Sequence, residues 1–141
     1  MMSRCILALA LWLPSLVWAN CNLSVKHLNF ADYDVFSAQH NDSVGQLHVY
    51  CDEAQPYTLK LSTGQGSYTR RELGNMSYRL GYNVYMQPNY VTVWGDGSAN
   101  SVVQSGHHIG QKNYYLYGRI FARQNVGMGH YQDSLIVTLE Y

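Results

Sequence analysis

Beyond residue 20, nearly every stretch of this sequence repeats with a period of two, and that repeat constrains the fold more than any other feature. Leu47, Val49 and Cys51 alternate with polar neighbours, and Tyr57, Leu59 and Leu61 alternate with Thr58, Lys60 and Ser62. Tyr78, Leu80, Tyr82 and Val84 repeat the pattern, as do Tyr114, Leu116, Gly118 and Ile120. Successive side chains of a strand point to opposite faces, so each run predicts one face turned to a core and one to water. Turn clusters separate the runs at His40-Asn41-Asp42, Thr63-Gly64-Gln65-Gly66, Pro88-Asn89, Gly95-Asp96-Gly97 and Gly127-Met128-Gly129. No segment of useful length carries the helical repeat. Short strands with a turn signal roughly every 8–12 residues predict an all-β, antiparallel sandwich. With no internal repeat or linker, residues 20–141 form one domain.

The alternation persists to the last residue. From Ser134 onward the chain reads as a strand with Leu135, Val137, Leu139 and Tyr141 on one face. No turn follows it, so the sequence supplies no successor to pair with that strand.

The other end reads as a secretory leader. Arg4 gives a positive start, Ile6 to Leu13 an apolar stretch, and Val17-Trp18-Ala19 a small-residue cleavage motif, so residues 1–19 are expected to be a signal peptide. The apolar stretch is short for a membrane span and is interrupted by Pro14, which disfavours a retained anchor. Cys5 leaves with the leader, and Cys21 and Cys51 remain as an even pair in an exported chain. A disulfide is the expected outcome, stabilising the fold by roughly 3–4 kcal/mol in the chain-entropy picture. Two lone cysteines so far apart lack zinc-ligand spacing. Without Arg4, eight Lys and Arg stand against nine Asp and Glu. Such a balance offers no basic stripe for nucleic acid. The 13 tyrosines suit half-buried sheet faces, with a few exposed ones available to meet a glycan or surface.

Catalytic patterns are missing. The sequence holds no G-x-S-x-G elbow, no H-E-x-x-H and no P-loop. His107-His108 beside Gly106 reads as a polar loop, and adjacent residues on a strand would face opposite ways rather than chelate one ion. Asp96 is a single carboxylate between glycines, far short of a calcium shell. The expectation is therefore a non-enzyme with no cofactor and no metal.

Taken in order, the elements resemble a known family. Cys21 stands near the start of the domain, followed by Phe30-Ala31-Asp32-Tyr33, a strand ending at Cys51, the Tyr57–Leu61 strand and Arg71-Glu72-Leu73. Then come Leu80-Gly81-Tyr82-Asn83-Val84-Tyr85, Val93-Trp94-Gly95-Asp96-Gly97, Tyr117-Gly118-Arg119, and Gly129 through Thr138. The set resembles the spore coat protein U domain, the subunit family of archaic chaperone–usher pili. That resemblance implies an incomplete immunoglobulin-like antiparallel β-sandwich lacking its last strand, with an open apolar groove beside the final strand. It implies three partners: a periplasmic chaperone that fills the groove, an outer-membrane usher, and a neighbouring subunit whose extension replaces the chaperone strand. The expected groove residues are Leu23 and Val25 of the first strand with Leu135, Val137, Leu139 and Tyr141 of the last.

One departure from the family pattern stands out. Shaft subunits carry an alternating donor segment before the first cysteine, whereas cleavage after Ala19 leaves only Asn20 ahead of Cys21. A donor needs at least about five residues at ~3.3 Å each to cross a groove. The chain is therefore expected to accept a strand without giving one, and so to sit at the tip of a surface fibre. The loop containing Tyr85, Met86 and Tyr90 is the candidate contact surface there. The alternative is a closed, free-standing secreted sandwich that binds a glycan.

Overall fold

A computed structural model describes residues 20–141; the expected signal peptide, residues 1–19, lies outside the described residues. Six strands follow one another: β1 (Cys21–Lys26), β2 (Asn41–Leu61), β3 (Arg71–Asn75), β4 (Tyr78–Tyr85), β5 (Gln104–Ile120) and β6 (Val137–Glu140). They form one antiparallel sheet in the order β1-β2-β5-β4-β3, with β6 also on β2.

Its shape follows from the two long strands. β2 and β5 pair from Asn41↔Ile120 to Cys51↔Gly110, and again from Gln55↔His108 to Leu59↔Gln104. Between the two stretches Asp52, Glu53 and Ala54 oppose only Ile109, and all three are exposed. Extra residues on one strand bend it, and here the bend lets one sheet supply both layers of the sandwich. Pro56 sits just past it, in a position where a proline in a continuous ladder would be costly. β1 and β6 lie along the same edge of β2, one on each side of the bend: Cys21 faces Cys51, and Glu140 faces Thr58. Folding at the bulge turns these two edges toward each other.

The inward residues are the ones the alternation marks. Leu47, Val49, Leu59, Leu61, Leu80, Val84 and Trp94 are almost wholly buried, and the Trp94 indole donates to the Leu59 carbonyl at 3.1 Å. Cys21 and Cys51 are bonded across β1 and β2, as the cysteine pairing requires.

Four expectations change. The Leu47–Cys51 and Tyr57–Leu61 runs are one strand, because the bulge absorbs the polar residues that looked like a break. His107 and His108 belong to β5 rather than to a loop. β6 begins at Val137 instead of Ser134, because the Ile136 amide donates to the Ser62 hydroxyl (2.8 Å) and leaves the ladder there. Tyr78, although in phase with Leu80, is about half exposed at the start of β4. The architecture is all-β and antiparallel, an immunoglobulin-like sandwich lacking its last strand. No helix among the described residues is long and apolar enough to cross a membrane.

Candidate functional site

The edges of β1 and β6 border an apolar groove with a cavity volume of about 960 Å³. Its floor is the inner face of the sheet: Leu61, Leu73, Leu80, Tyr82, Leu116 and Ile120. Its banks are two largely irregular segments that continue strands β1 and β6. One runs from β1 through residues 27–36, and the other from residue 126 into β6. β1 and β6 each pair with β2 along one edge only; among the described residues no strand lies on the other edge.

Beyond the strands the banks are held mainly by side chains. On the first, Ser43 donates its hydroxyl to the Asn29 carbonyl (2.6 Å) and the Asn41 amide donates to Ala31 (2.8 Å). The Tyr33 hydroxyl donates to the Phe121 carbonyl (2.7 Å) and accepts from the Gln124 amide (2.9 Å). Leu28 and Phe30 rest over Gly118, where an added Cβ would stand 2.7 Å from the Phe30 ring. A glycine at that point of β5 is what lets the bank lie so close. On the second bank, Gln132 and Gly74 exchange backbone hydrogen bonds at 2.8 and 3.1 Å. Asp133 accepts from the Gln65 amide (3.0 Å) and from the Tyr82 hydroxyl. Gly64 adopts φ of 59°, and any Cβ there would strike the Asp133 carboxylate. These bonds do what ladder pairing does elsewhere: they fix two unpaired chain segments at a set separation.

Leu23, Val25, Leu135 and Val137 line this groove. Leu139 is half-buried against the core instead, and Tyr141 is 60% exposed, its hydroxyl donating to the Asn20 side chain at 3.1 Å. Sequence reasoning missed the larger part of the lining, the segments at 27–36 and 126–133. Leu28, Phe30, Tyr33 and Val35 carry an irregular apolar repeat that would have been the available signal.

The candidate contact loop does not present its aromatic residues. Tyr85 is 9% exposed and Met86 packs on the core. Tyr90 lies under the Arg119 guanidinium, 3.6 Å from its ring centroid, while Arg119 also holds Asp42 through two bonds of 2.7 and 2.9 Å. Only Gln87, Pro88, Asn89 and Val91 face water, so this loop is a packed corner.

Two phenols report on the interior. Burial, and after it the hydrogen bond with Asp133, raises the Tyr82 pKa above the ordinary range. Burial and the contact with Tyr114 do the same for Tyr57. Both folded values lie above the unfolded value of about 10. The stability they represent is complete below that pH and is lost as pH rises toward the folded values. In an alkaline titration followed at the tyrosinate absorbance band, these two residues are expected to ionise last, together with loss of the fold. Complete ionisation of all 13 tyrosines with the β-sheet circular dichroism unchanged would contradict this.

No curated protein matches this sequence. Among solved structures, the chain is similar to one in the crystal structure of the CsuC–CsuE chaperone–tip adhesion subunit pre-assembly complex, from the archaic chaperone–usher Csu pili of Acinetobacter baumannii. The TM-score is 0.66 at 20% identity, and the match covers 89% of this chain and 40% of that one. At that identity the likeness establishes the fold. The model of the Spore Coat Protein U domain family matches residues 8–138. Because that match runs through β1 to β5 and into β6, the chain belongs to the Spore Coat Protein U domain family.

Proposed function

We propose that this chain is a non-enzymatic subunit of a chaperone–usher fibre or coat, one that completes its sandwich with a strand supplied by another polypeptide. The observation that carries the reading is the groove: an apolar floor between two banks, with β1 and β6 each paired on one edge. A strand laid there would gain main-chain hydrogen bonds along its length and bury alternate side chains. Without one, the groove is an apolar edge open to aggregation. A periplasmic chaperone fills it first, an outer-membrane usher exchanges the strand, and a neighbouring subunit supplies the lasting occupant. The similar solved chain is in a complex of a chaperone with a tip adhesion subunit, which supports the first of these steps. The route is export to the periplasm behind a cleaved signal peptide, then display at the cell surface.

The tip is the position we assign in the fibre. If processing follows Ala19, Asn20 is the single residue before β1, and it is already engaged. Its amide donates to the Asp52 carboxylate (2.7 Å) and its carbonyl accepts from the Asp52 amide (3.0 Å). Immunogold labelling of intact fibres is then expected at one end, and label along the shaft would remove the assignment.

The strand-accepting role is tested by periplasmic expression. Alone, the mature chain is expected to be degraded or insoluble. Co-expressed chaperone, or an apolar donor strand fused after Tyr141, is expected to raise soluble yield at least several-fold. A monomer that is soluble and unfolds cooperatively without either aid would instead favour a closed sandwich that binds a glycan.

A further inference from the structure

We propose that the strand filling the groove carries a basic side chain at the end farthest from Asn20 and Tyr141. The inference rests on the strand-accepting reading above and adds the chemistry of the occupant, the extension of a neighbouring subunit.

The two ends of the groove differ. β6 ends where β1 begins, and the Tyr141–Asn20 hydrogen bond marks that closed end. Next to it the banks are aliphatic: Leu23 and Val25 on one side, Leu135 and Val137 on the other. Moving away from Asn20, the first bank reaches Asp32 and Asp34, and the second reaches Val126. Tyr33, between the two acids, is anchored to Phe121 and Gln124, which places this part of the bank beside the start of the second one.

Alternation sets the roles at that end. Tyr33 and Val35 are half-buried, whereas Asp32 and Asp34 are exposed. Asp34 begins a turn, its Oδ1 accepting from the Phe36 amide (2.9 Å) and its carbonyl from the Ser37 amide (3.2 Å). A third carboxylate in the lining, Asp133, is already used by Gln65, Ser134 and Tyr82. His27 and His130 also line the groove, but among the described residues no lysine or arginine does. The far end thus presents the Asp32 carboxylate and that of Asp34, one of whose oxygens is bonded within its own turn, with no lysine or arginine of the described residues in the lining between them.

An acidic residue on the strand at this point meets like charge. A basic one meets two carboxylates at a partly screened rim, where complementarity selects partners. The bank from residue 126 to 137 bends at Met128 and Gly129, so its contour at ~3.3 Å per residue sets an upper limit of roughly ten to twelve residues on the donor it seats. The inferred occupant is therefore an extended segment of that length, apolar at alternate positions, with a lysine or arginine close to one end.

The test uses the mature chain refolded with fluorescent peptides of that length, alternating valine and threonine. They differ only in carrying Lys, Gln or Glu close to one end, and each is made with the variable residue at either end to allow for both strand directions. The Lys peptide is expected to bind about tenfold more tightly than the Glu peptide at low salt, for one end only. That ratio is expected to shrink toward one in about 0.5 M salt, and in a variant carrying Asp32→Asn and Asp34→Asn. Equal binding of all peptides at low salt would overturn the charge inference and leave the groove reading standing. Failure of every peptide to bind would overturn the strand-accepting reading itself.

Discussion

Replacing Arg71 with methionine is expected to destabilise the sandwich by about 3–5 kcal/mol, a large part of the ~5–15 kcal/mol that holds a domain folded. Arg71 opens β3 and has no exposed surface, yet no carboxylate bonds to it. Its guanidinium instead donates to the Ser62 carbonyl twice (3.0 and 2.8 Å), to the Trp94 carbonyl (2.7 Å) and to the Asn83 side chain (2.7 Å). It also lies 5.3 Å from the centre of the Tyr68 ring. Burial lowers the Arg71 pKa, but an arginine stays charged in a protein. One side chain therefore ties the end of β2, the Trp94 loop and β4 together. Methionine fills the volume and leaves the Ser62 and Trp94 carbonyls without their donor, each costing about 1–3 kcal/mol, while Asn83 keeps the Val84 amide; relief from burying a charge offsets part of the loss. Lysine keeps the charge but not the planar fork, and an intermediate loss is expected. Urea unfolding of the donor-fused protein measures both, and midpoints equal to that of the parent would refute the role assigned to Arg71.

Removal of the disulfide is the second large effect. Cys21 and Cys51 are 6% and 0% exposed, so serine would bury unpaired hydroxyls, and Cys21→Ala with Cys51→Ala is the cleaner change. The bond closes a loop of separation 30, and its loss is expected to cost about 3–4 kcal/mol. The damage falls on a particular place. β1 is a short edge strand supported by β2 alone, and it continues into the first bank of the groove. The double variant is therefore expected to lose affinity for a donor peptide as well as stability. Reducing agent should lower the urea midpoint of the parent and leave that of the variant unchanged; a parent indifferent to reductant would contradict the assignment.

The parts of the fold legible in sequence are those where one face of a strand is buried and the other wet. Leu47, Val49, Tyr57, Leu59 and Leu116 announce themselves through alternation alone. β4 also shows through Leu80, Tyr82 and Val84, but its second buried face does not: Asn83, polar in type, points away from Tyr82 and is consumed by Arg71, the Tyr68 carbonyl and the Val84 amide. Polar residues satisfied in this way look like surface in a sequence. The bend in β2 is hidden for the opposite reason, since Asp52 to Pro56 read as a loop while the pairing continues on either side. For the groove, family resemblance pointed to the first and last strands and alternation extended the last one to Tyr141. Leu139 and Tyr141 keep the phase of Val137 but lie beyond the groove lining, and the banks at 27–36 and 126–133 are held by tertiary side-chain bonds that no local pattern encodes.

The long hairpin-like pairing of β2 with β5 also has a consequence in time. β2 ends at Leu61, and β5, which pairs with most of its length, does not begin until Gln104. A chain delivered from its amino end must therefore hold a 21-residue strand without its main partner while more than 40 further residues emerge. Closure between such distant segments is slow, and exposed strands sample wrong pairings while they wait. β6 reaches β2 only after a still longer interval. On the strand-accepting reading proposed above, the need for a chaperone would thus begin before the groove exists, in the order in which the strands arrive.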